Sequence, residues 1–181
     1  MILENVLNIL DHNHARRVSK LSMSLARQLG LSEHEIHLIG QGALYHDIGK
    51  IAIPTSLLES KEKFFNEEER RLMQRHVEYG LSILSVHTGE EMEAARAIIA
   101  SHHERWNGQG YPHGLMGEAI PLYGRIVAVC DVFDALCSDR PYKAAWPASK
   151  ALDYIKGQSG EAFDPRVVEA FLQMMAEGVA V

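Results

Sequence analysis

Apolar residues recur every three or four positions along most of the chain, which is the spacing of one face of an α-helix. In the segment 14–29 such a stripe is followed directly by Gly30, and glycine is common just past a helix end. The stripe consists of Val18, Leu21, Leu25 and Leu29. The sequence has no runs with the alternating pattern of strands. The chain is therefore predicted to fold from helices.

Several helix starts are marked by residues that accept hydrogen bonds from the N–H groups of a first turn. Ser32 precedes a helix that opens with Glu33 and Glu35, the spacing of a capping box. Asn66 precedes EEERRLMQRHVEYGLSIL, predicted as one helix with glutamates in its first turn. Further helices are predicted for 90–102, 122–138, 147–156 and 165–175. The Gly- and Pro-containing stretch ERWNGQGYPHGLMGEAIP predicts one long ordered loop. The predicted fold class is all-α, with about six or seven helices.

Length and charge limit the classes of protein that this chain can be. With 181 residues, 46% of them hydrophobic and 23% charged, it is typical of one globular domain. We expect a single domain over residues 1–181, with 1–12 forming an N-terminal linker helix. The net charge of −6 argues against binding a nucleic-acid polymer, because that binding requires a basic surface.

The sequence predicts a cytoplasmic location without membrane contact. Its longest apolar run, Ile126–Cys130, is far shorter than the roughly 20 residues that cross a bilayer. The start, MILENVLNIL, lacks the basic region of a signal peptide. Cys130 and Cys137 fall in one predicted helix, about 10 Å apart, which is too far for a disulfide. Both are expected to be thiols of a reducing compartment.

The ten histidines are not spread as surface residues would be. His46 and Asp47 end an apolar helical segment, where a charged pair is costly unless it binds something. Asp131 lies within the otherwise apolar run IVAVCDVFDAL. Taken alone, His76 is explained as well by an ordinary histidine, and Asp131 by a carboxylate paired with a basic residue. Taken together, imidazole and carboxylate groups on separate helices favour a site for zinc, iron, manganese or nickel.

Four segments, in their order and spacing, resemble the HD-GYP family, a branch of the HD-domain metallohydrolases. They are HARRV, YHDIGKIAIP, HHERWNGQGYPHGLMGEAIPL and CDVFDALCSDRPYK. FDPRVVEAF resembles the family's last helix, so the resemblance extends from about His14 to Phe171. A lone His-Asp pair is a weak signal, whereas these motifs in register are specific. The resemblance implies an HD-domain helical bundle that holds a metal centre.

The resemblance also implies the metal ligands. They are His14, His46, Asp47, His76, His102, His103 and Asp131. Asp47 is the expected bridge, with His14, His46 and Asp131 on one metal and His76 with His102 or His103 on the other. Some family members hold a third metal through a glutamate at the position of Leu10, so a binuclear centre is expected here. Iron or manganese is favoured, while zinc, nickel, cobalt and magnesium also fit the ligand types.

The implied activity is hydrolysis of cyclic di-GMP to pGpG, GMP or both, through a hydroxide that bridges the metals. Asp47 and Lys50 are the implied catalytic residues, although Lys50 alone also fits a solvated lysine at a helix end. The implied substrate contacts are Gly110, Tyr111, Arg140 and Lys143. Gly110 is expected to permit an unusual backbone angle, and Arg140 to form a bidentate fork with guanine or phosphate.

Three alternatives remain open at this stage. The chain is a cyclic di-GMP receptor with little turnover, an HD hydrolase of another nucleotide such as a mixed cyclic dinucleotide, or a di-iron oxygenase. We also expect a regulatory or sensor domain, or partner signalling proteins, with this chain cut from a longer protein. The histidines that match no motif are expected at the surface or behind the site. They are His12, His34, His37, His87 and His113.

Overall fold

The computed structural model describes residues 12–58, 66–139 and 144–178, and these residues confirm the all-α prediction. They form nine α-helices, one of them a single turn, and two short 3-10 helices. The helices are α1 (His12–Gln28), α2 (Glu33–Leu44), α3 (Thr55–Leu58), α4 (Glu67–Gln74), α5 (His76–Leu84), α6 (Glu90–Ile99), α7 (Leu122–Cys137), α8 (Ala148–Gly157) and α9 (Pro165–Ala176). The 3-10 helices are Ile48–Ala52 and Gly117–Ala119. Across the same ranges, no helix is both long and apolar enough to cross a membrane.

The helix starts that the sequence marks are formed as predicted. Ser32 Oγ accepts from Glu35 N at 3.3 Å, and the Glu35 carboxylate accepts from Ser32 N at 3.0 Å. Asn66 and Glu69 form the same reciprocal pair at the start of α4. Gly30, after α1, has a φ of 78°, a left-handed conformation that glycine adopts without strain.

The helix predicted after Asn66 is two helices, and this is one reason that the predicted number is too low. The chain breaks at Arg75, whose N–H bonds to Leu72 O at 3.2 Å, three residues back. The break begins a new helix at His76, and the His76 side chain is buried. The apolar spacing alone did not reveal the break, because apolar residues continue at helical spacing across it, from Met73 to Val77 and Leu81, even though α4 itself buries none of its residues.

The core lies mainly between α1, α2, α7, α8 and α9. Phe133 and Phe171 meet there edge to face with their ring centroids 5.2 Å apart. Cys130 is part of this core and Cys137 packs at its margin, and neither forms a disulfide, as predicted. A smaller apolar cluster joins the first 3-10 helix to α5 and α6. Its buried members are Ile48, Val77, Leu84, Ala95 and Ile99.

Candidate metal centre

Four buried histidines from four separate segments meet between the two apolar clusters. His14 lies in α1, His46 follows α2, His76 begins α5 and His102 follows α6. The centroid of the His46 ring lies 5.3 Å from that of the His14 ring and 5.3 Å from that of the His102 ring. The His76 ring is 5.7 Å from that of His102. The fold therefore concentrates imidazole groups that lie up to 88 positions apart in the sequence.

Backbone carbonyl groups fix how three of these rings are oriented. His46 Nδ1 lies 2.7 Å from Ala43 O, and His76 Nδ1 lies 2.7 Å from Met73 O. His102 Nδ1 lies 3.1 Å from Ile98 O. Because a carbonyl can only accept, each Nδ1 carries the proton. Each Nε2 then keeps its lone pair and faces the interior, the arrangement of a metal-binding histidine.

Two carboxylates complete the cluster. Asp47 Oδ2 is 3.5 Å from His46 Nε2, while Asp47 Oδ1 is 3.7 Å from His76 Nε2. Asp131 Oδ1 is 3.1 Å from His14 Nε2 and 3.8 Å from His46 Nε2. The two oxygens of Asp47 thus face different histidines, which is the geometry that a carboxylate shared by two cations requires.

The ligand atoms form two groups, and within each group they lie within 4.8 Å of one another. One group contains His14, His46 and Asp131, and the other contains Asp47, His76, His102 and His103. Several of these atoms are buried and have no hydrogen-bond partner among the described residues: Nε2 of His46, His76 and His102, and Oδ1 of Asp47. A buried polar atom without a partner costs about 1–3 kcal/mol. Bound cations would satisfy all four atoms, so the residues present fit a metal centre.

In the second ligand group the protonation tendencies suit metal binding, whereas in the first group the neighbouring carboxylates outweigh burial and raise the pKa of His46 and His14. Burial lowers the pKa of His102 to about 3, and it also lowers the pKa of His76 and His103. Burial also disfavours the charged form of Asp47, but Lys50 and His46 outweigh this and hold the Asp47 pKa well below its usual range. Neutral imidazole and ionised carboxylate are the forms that bind cations.

Lys50 lies at the edge of the cluster, one turn after the His-Asp pair, as the motif predicts. Its Nζ contacts Asp47 Oδ2, and about a quarter of its side chain (28%) is exposed. Lys50 is therefore not an ordinary solvated lysine at a helix end. It places a positive charge next to Asp47, the carboxylate whose oxygens face one histidine of each group.

Asp134 is a residue that the sequence analysis missed. Its Oδ2 accepts from His14 Nδ1 at 2.6 Å, and its carboxylate also accepts from Arg17 Nε at 2.6 Å. These bonds outweigh burial and lower the pKa of Asp134, and with Asp131 they raise the pKa of His14 to about 9. The signal was a second aspartate one helical turn after Asp131 in an otherwise apolar run, a spacing that puts both on one face.

The loop between α6 and α7 covers the second group. The Tyr111 ring stacks on His103 with the centroids 4.7 Å apart and the planes 21° apart. Burial raises the pKa of Tyr111 above its ordinary value. Gly110 lies in this loop with a φ that is not positive, so the unusual backbone angle expected there is wrong, while its contact with substrate stays a prediction. A Cβ there would lie 2.5 Å from Glu104 Cα, so close backbone approach requires the glycine.

Glu104 is a second residue that the sequence analysis left without a role. Its carboxylate is buried and accepts from His113 N at 2.7 Å and from Leu115 N at 3.0 Å. Glu104 therefore anchors the part of the loop that follows Tyr111. The available signal was its position directly after the His-His pair, which was itself expected to be buried. A glutamate at a buried position is seldom found without hydrogen-bond partners.

The remaining predicted residues are not part of the cluster or are not described. Arg140, Lys143 and Leu10 lie outside the described residues, as does the side chain of His12. His34 and His37 are exposed and contact Glu90 and Glu91, each at 3.0 Å. His87 is half-buried and His113 is exposed, so the described members of this set agree with the expected surface or peripheral positions.

The fold and the site together define a helical protein with a candidate metal centre of histidine and aspartate ligands. The HD domain family matches residues 1–167, and the chain belongs to this family. Its HDIGK, HHE, GYP and RPYK motifs place it in the HD-GYP branch. Phosphohydrolases of the HD-domain family are metal-dependent, and the two groups described above could hold the ions.

Two curated relatives and one solved structure illustrate the similarity. The cyclic di-GMP phosphodiesterase response regulator RpfG of Xanthomonas campestris is 49% identical over 161 residues, which cover 89% of this chain and 42% of that protein. The 3'3'-cGAMP-specific phosphodiesterase 2 of Vibrio cholerae is 41% identical over 168 residues, which cover 93% of this chain and 32% of that protein. This chain therefore spans less than half the length of either relative. The HDGYP protein Bd1817 of Bdellovibrio bacteriovorus has the same fold, with a TM-score of 0.72 and 22% identity over 91% of this chain and 52% of that one.

Proposed function

We propose that the protein is a metal-dependent phosphodiesterase that hydrolyses cyclic di-GMP to pGpG, GMP or both. The observation that carries the proposal is the pair of ligand groups, of which one contains Asp47 while the same carboxylate also faces His46 of the other. Similarity to a cyclic di-GMP phosphodiesterase over 89% of the chain supports the substrate class. We include in the proposal a single HD-GYP domain over residues 1–181 and a cytoplasmic location.

The proposed centre is binuclear, with iron or manganese as the favoured metals. One ion would bind His14, His46 and Asp131, and the other His76, His102 and His103. Asp47 would bind both ions, because its two oxygens face the two sets of histidines. The mixture of nitrogen and oxygen ligands suits iron and manganese and is also compatible with zinc, nickel, cobalt or magnesium.

The protein's own residues would bind and orient the substrate around this centre. Bound cations supply an activated water near neutral pH and neutralise charge on the phosphoryl oxygens. Lys50, held beside Asp47, is positioned to offer its ammonium group to the same phosphate. Tyr111 covers His103 and limits access of water from that side. We propose Arg140 and Lys143 as contacts to guanine or phosphate, on the basis of the motif alone.

The test is turnover under anaerobic conditions. Protein loaded with Fe(II) or Mn(II) is incubated with cyclic di-GMP, and the products are separated by chromatography beside those of Asp47→Ala. Formation of pGpG or GMP that is lost in the variant supports the proposal. Two bound metals per chain with cyclic di-GMP binding but no product would contradict it and would define a receptor.

A second candidate substrate is 3'3'-cGAMP. The specific observation in its favour is the 41% identity to a phosphodiesterase named for this dinucleotide, over 93% of the chain. Competition between equal concentrations of the two dinucleotides in one reaction gives the ratio of their kcat/KM values directly. A ratio above one for cyclic di-GMP supports the first candidate, and a ratio below one supports the second.

A further inference from the structure

The loop of residues 104–120 is attached to the protein on two sides. Glu104 holds its inner side through the N–H groups of His113 and Leu115. Its outer side lies against the turn that joins α8 and α9. There Trp106 N donates to Ala162 O at 3.1 Å, and Asn107 N donates to Glu161 O at 2.9 Å.

One arginine connects both ends of the loop to this turn. Arg125, in the first turn of α7, donates from Nε to Ile120 O at 2.8 Å, where the loop ends. Its guanidinium carbon lies 5.8 Å from the centre of the Trp106 ring, near where the loop begins. Its Nη1 donates to Asp164 Oδ2 at 2.6 Å. One guanidinium group therefore contacts the loop at two points and the start of α9 at a third.

Both carboxylate oxygens of Asp164 accept hydrogen bonds at this contact between the loop and α9. Asp164 is 2% exposed, and its second oxygen, Oδ1, accepts from Arg166 N at 2.8 Å in the first turn of α9. The Arg125 side chain is 13% exposed. A charge pair this well buried is strong only while both partners are present, because either partner alone would be a buried charge without compensation.

We infer that Arg125 and Asp164 are positioning residues that hold the loop of residues 104–120, and with it Tyr111, over the metal centre. Neither residue belongs to the ligand groups. They act through the two ends of the loop, while Glu104 acts through its middle. The start of α9, far from the centre in sequence, thereby helps to set where Tyr111 lies.

The inference predicts a selective effect of conservative variants. Arg125→Lys keeps the charge but cannot reach Ile120, Trp106 and Asp164 together, since an ammonium group lacks the planar fork. Asp164→Asn keeps an oxygen for Arg166 N but loses the charge that faces Arg125. Both variants should raise the KM for the cyclic dinucleotide about tenfold, whereas turnover of the small diester bis(p-nitrophenyl) phosphate should stay within about twofold. We expect this difference because a dinucleotide is large enough to reach the loop from the metal centre, whereas the small diester is not.

Hydrogen exchange tests the inference without any activity. In each variant we expect amides of residues 104–117 to exchange about tenfold faster, while amides of α1 and α2 keep their rates. Arg166→Lys is the matched control, because Arg166 has an exposed side chain at the same helix start. Val168→Ala, a buried truncation in α9, controls for general loss of stability.

The KM measurements rest on the proposed function, whereas the hydrogen-exchange measurements do not. The two sets of outcomes therefore distinguish failure of this inference from failure of the proposed function. Faster exchange confined to the loop supports the inference even if the wild-type protein turns over no dinucleotide. Loop exchange equal to that of Arg166→Lys overturns it. Faster exchange throughout the protein, reproduced by Val168→Ala at equal melting temperature, overturns it as well.

Discussion

His14 and Asp134 lie 120 positions apart in the sequence, yet His14 Nδ1 is 2.6 Å from Asp134 Oδ2. Arg17, one turn after His14, holds the same carboxylate through Nε and Nη2 at 2.6 and 3.0 Å. This arrangement leaves His14 Nε2 directed at Asp131, within the first ligand group. Carboxylates that orient a metal-binding histidine in this way also raise the basicity of the ligand, so their loss weakens metal binding.

Asp134→Asn should therefore weaken metal binding by about 10- to 100-fold without removing a ligand. The amide has the same shape, but it lacks the charge that fixes the His14 ring and pairs with Arg17. Competition titration of the Mn(II) complex with a chelator measures the change. Asp153→Asn, at an exposed position in α8, is the control and should bind as the wild type does. Equal metal affinities for both variants would mean that Asp134 only holds α1 against α7 and does not affect metal binding.

Removal of metal should destabilise the fold. The buried atoms of His46, Asp47, His76 and His102 that lack hydrogen-bond partners would again be uncompensated. A metal present at about 100 times its dissociation constant adds about 2.7 kcal/mol to the free energy of unfolding. Thermal unfolding with Mn(II) and with a chelator measures this difference.

The control for metal removal is Asp47→Ala, which lacks the carboxylate that faces one histidine of each group. Its melting temperature should respond much less to Mn(II) than that of the wild type. A wild-type melting temperature that does not change while dialysis shows bound Mn(II) would contradict the expected coupling between the site and the fold.

Gly49→Ala should destabilise the protein by about 1–3 kcal/mol, the usual cost of an overpacked contact. A Cβ at Gly49 would lie 2.8 Å from the carbonyl carbon of His76 and 2.5 Å from Gly80 N. These are backbone atoms, so they cannot rotate away, and the first 3-10 helix would have to move from α5. Asp47 would then move away from His76. Urea unfolding measures the stability, and a metal titration of the folded variant measures the effect on the site.

Gly157 is the matched control for this prediction. It ends α8, its φ is not positive, and among the described residues no atom beyond the adjoining residues and backbone of its own helix lies within 4 Å of a Cβ built on it. Gly157→Ala should be neutral or should stabilise by about 0.4–1 kcal/mol, since alanine restricts the unfolded chain. Equal destabilisation by both variants would show that helix ends, not the close approach at Gly49, determine the cost.

Residue patterns predicted what depends on near neighbours and missed what depends on distant ones. The caps at Ser32 and Asn66 involve partners three residues away, so the sequence displays both members. The roles of Asp134 and Glu104 depend on how α1 meets α7 and how the loop folds back, and no local spacing contains that information. The backbone angle expected at Gly110 was wrong for the same reason, because the close approach of the Glu104 backbone, not a local angle, requires the glycine. The members of the two ligand groups could be predicted because the resemblance of the motifs to a known family indicated which distant residues lie together.

Glu104→Gln should loosen the loop while leaving the metal content unchanged. The carboxylate accepts two backbone N–H groups, whereas an amide can accept only one of them at that position and turns a donor toward the other. Limited digestion with chymotrypsin, followed by mass spectrometry, should show faster cleavage near Trp106 and Leu115. Glu118→Gln, at an exposed position of the same loop, should be cleaved at the wild-type rate. If the two variants are cleaved equally, the buried carboxylate is not what holds the loop closed, and the contacts of Arg125 with Ile120 and Asp164 would be sufficient.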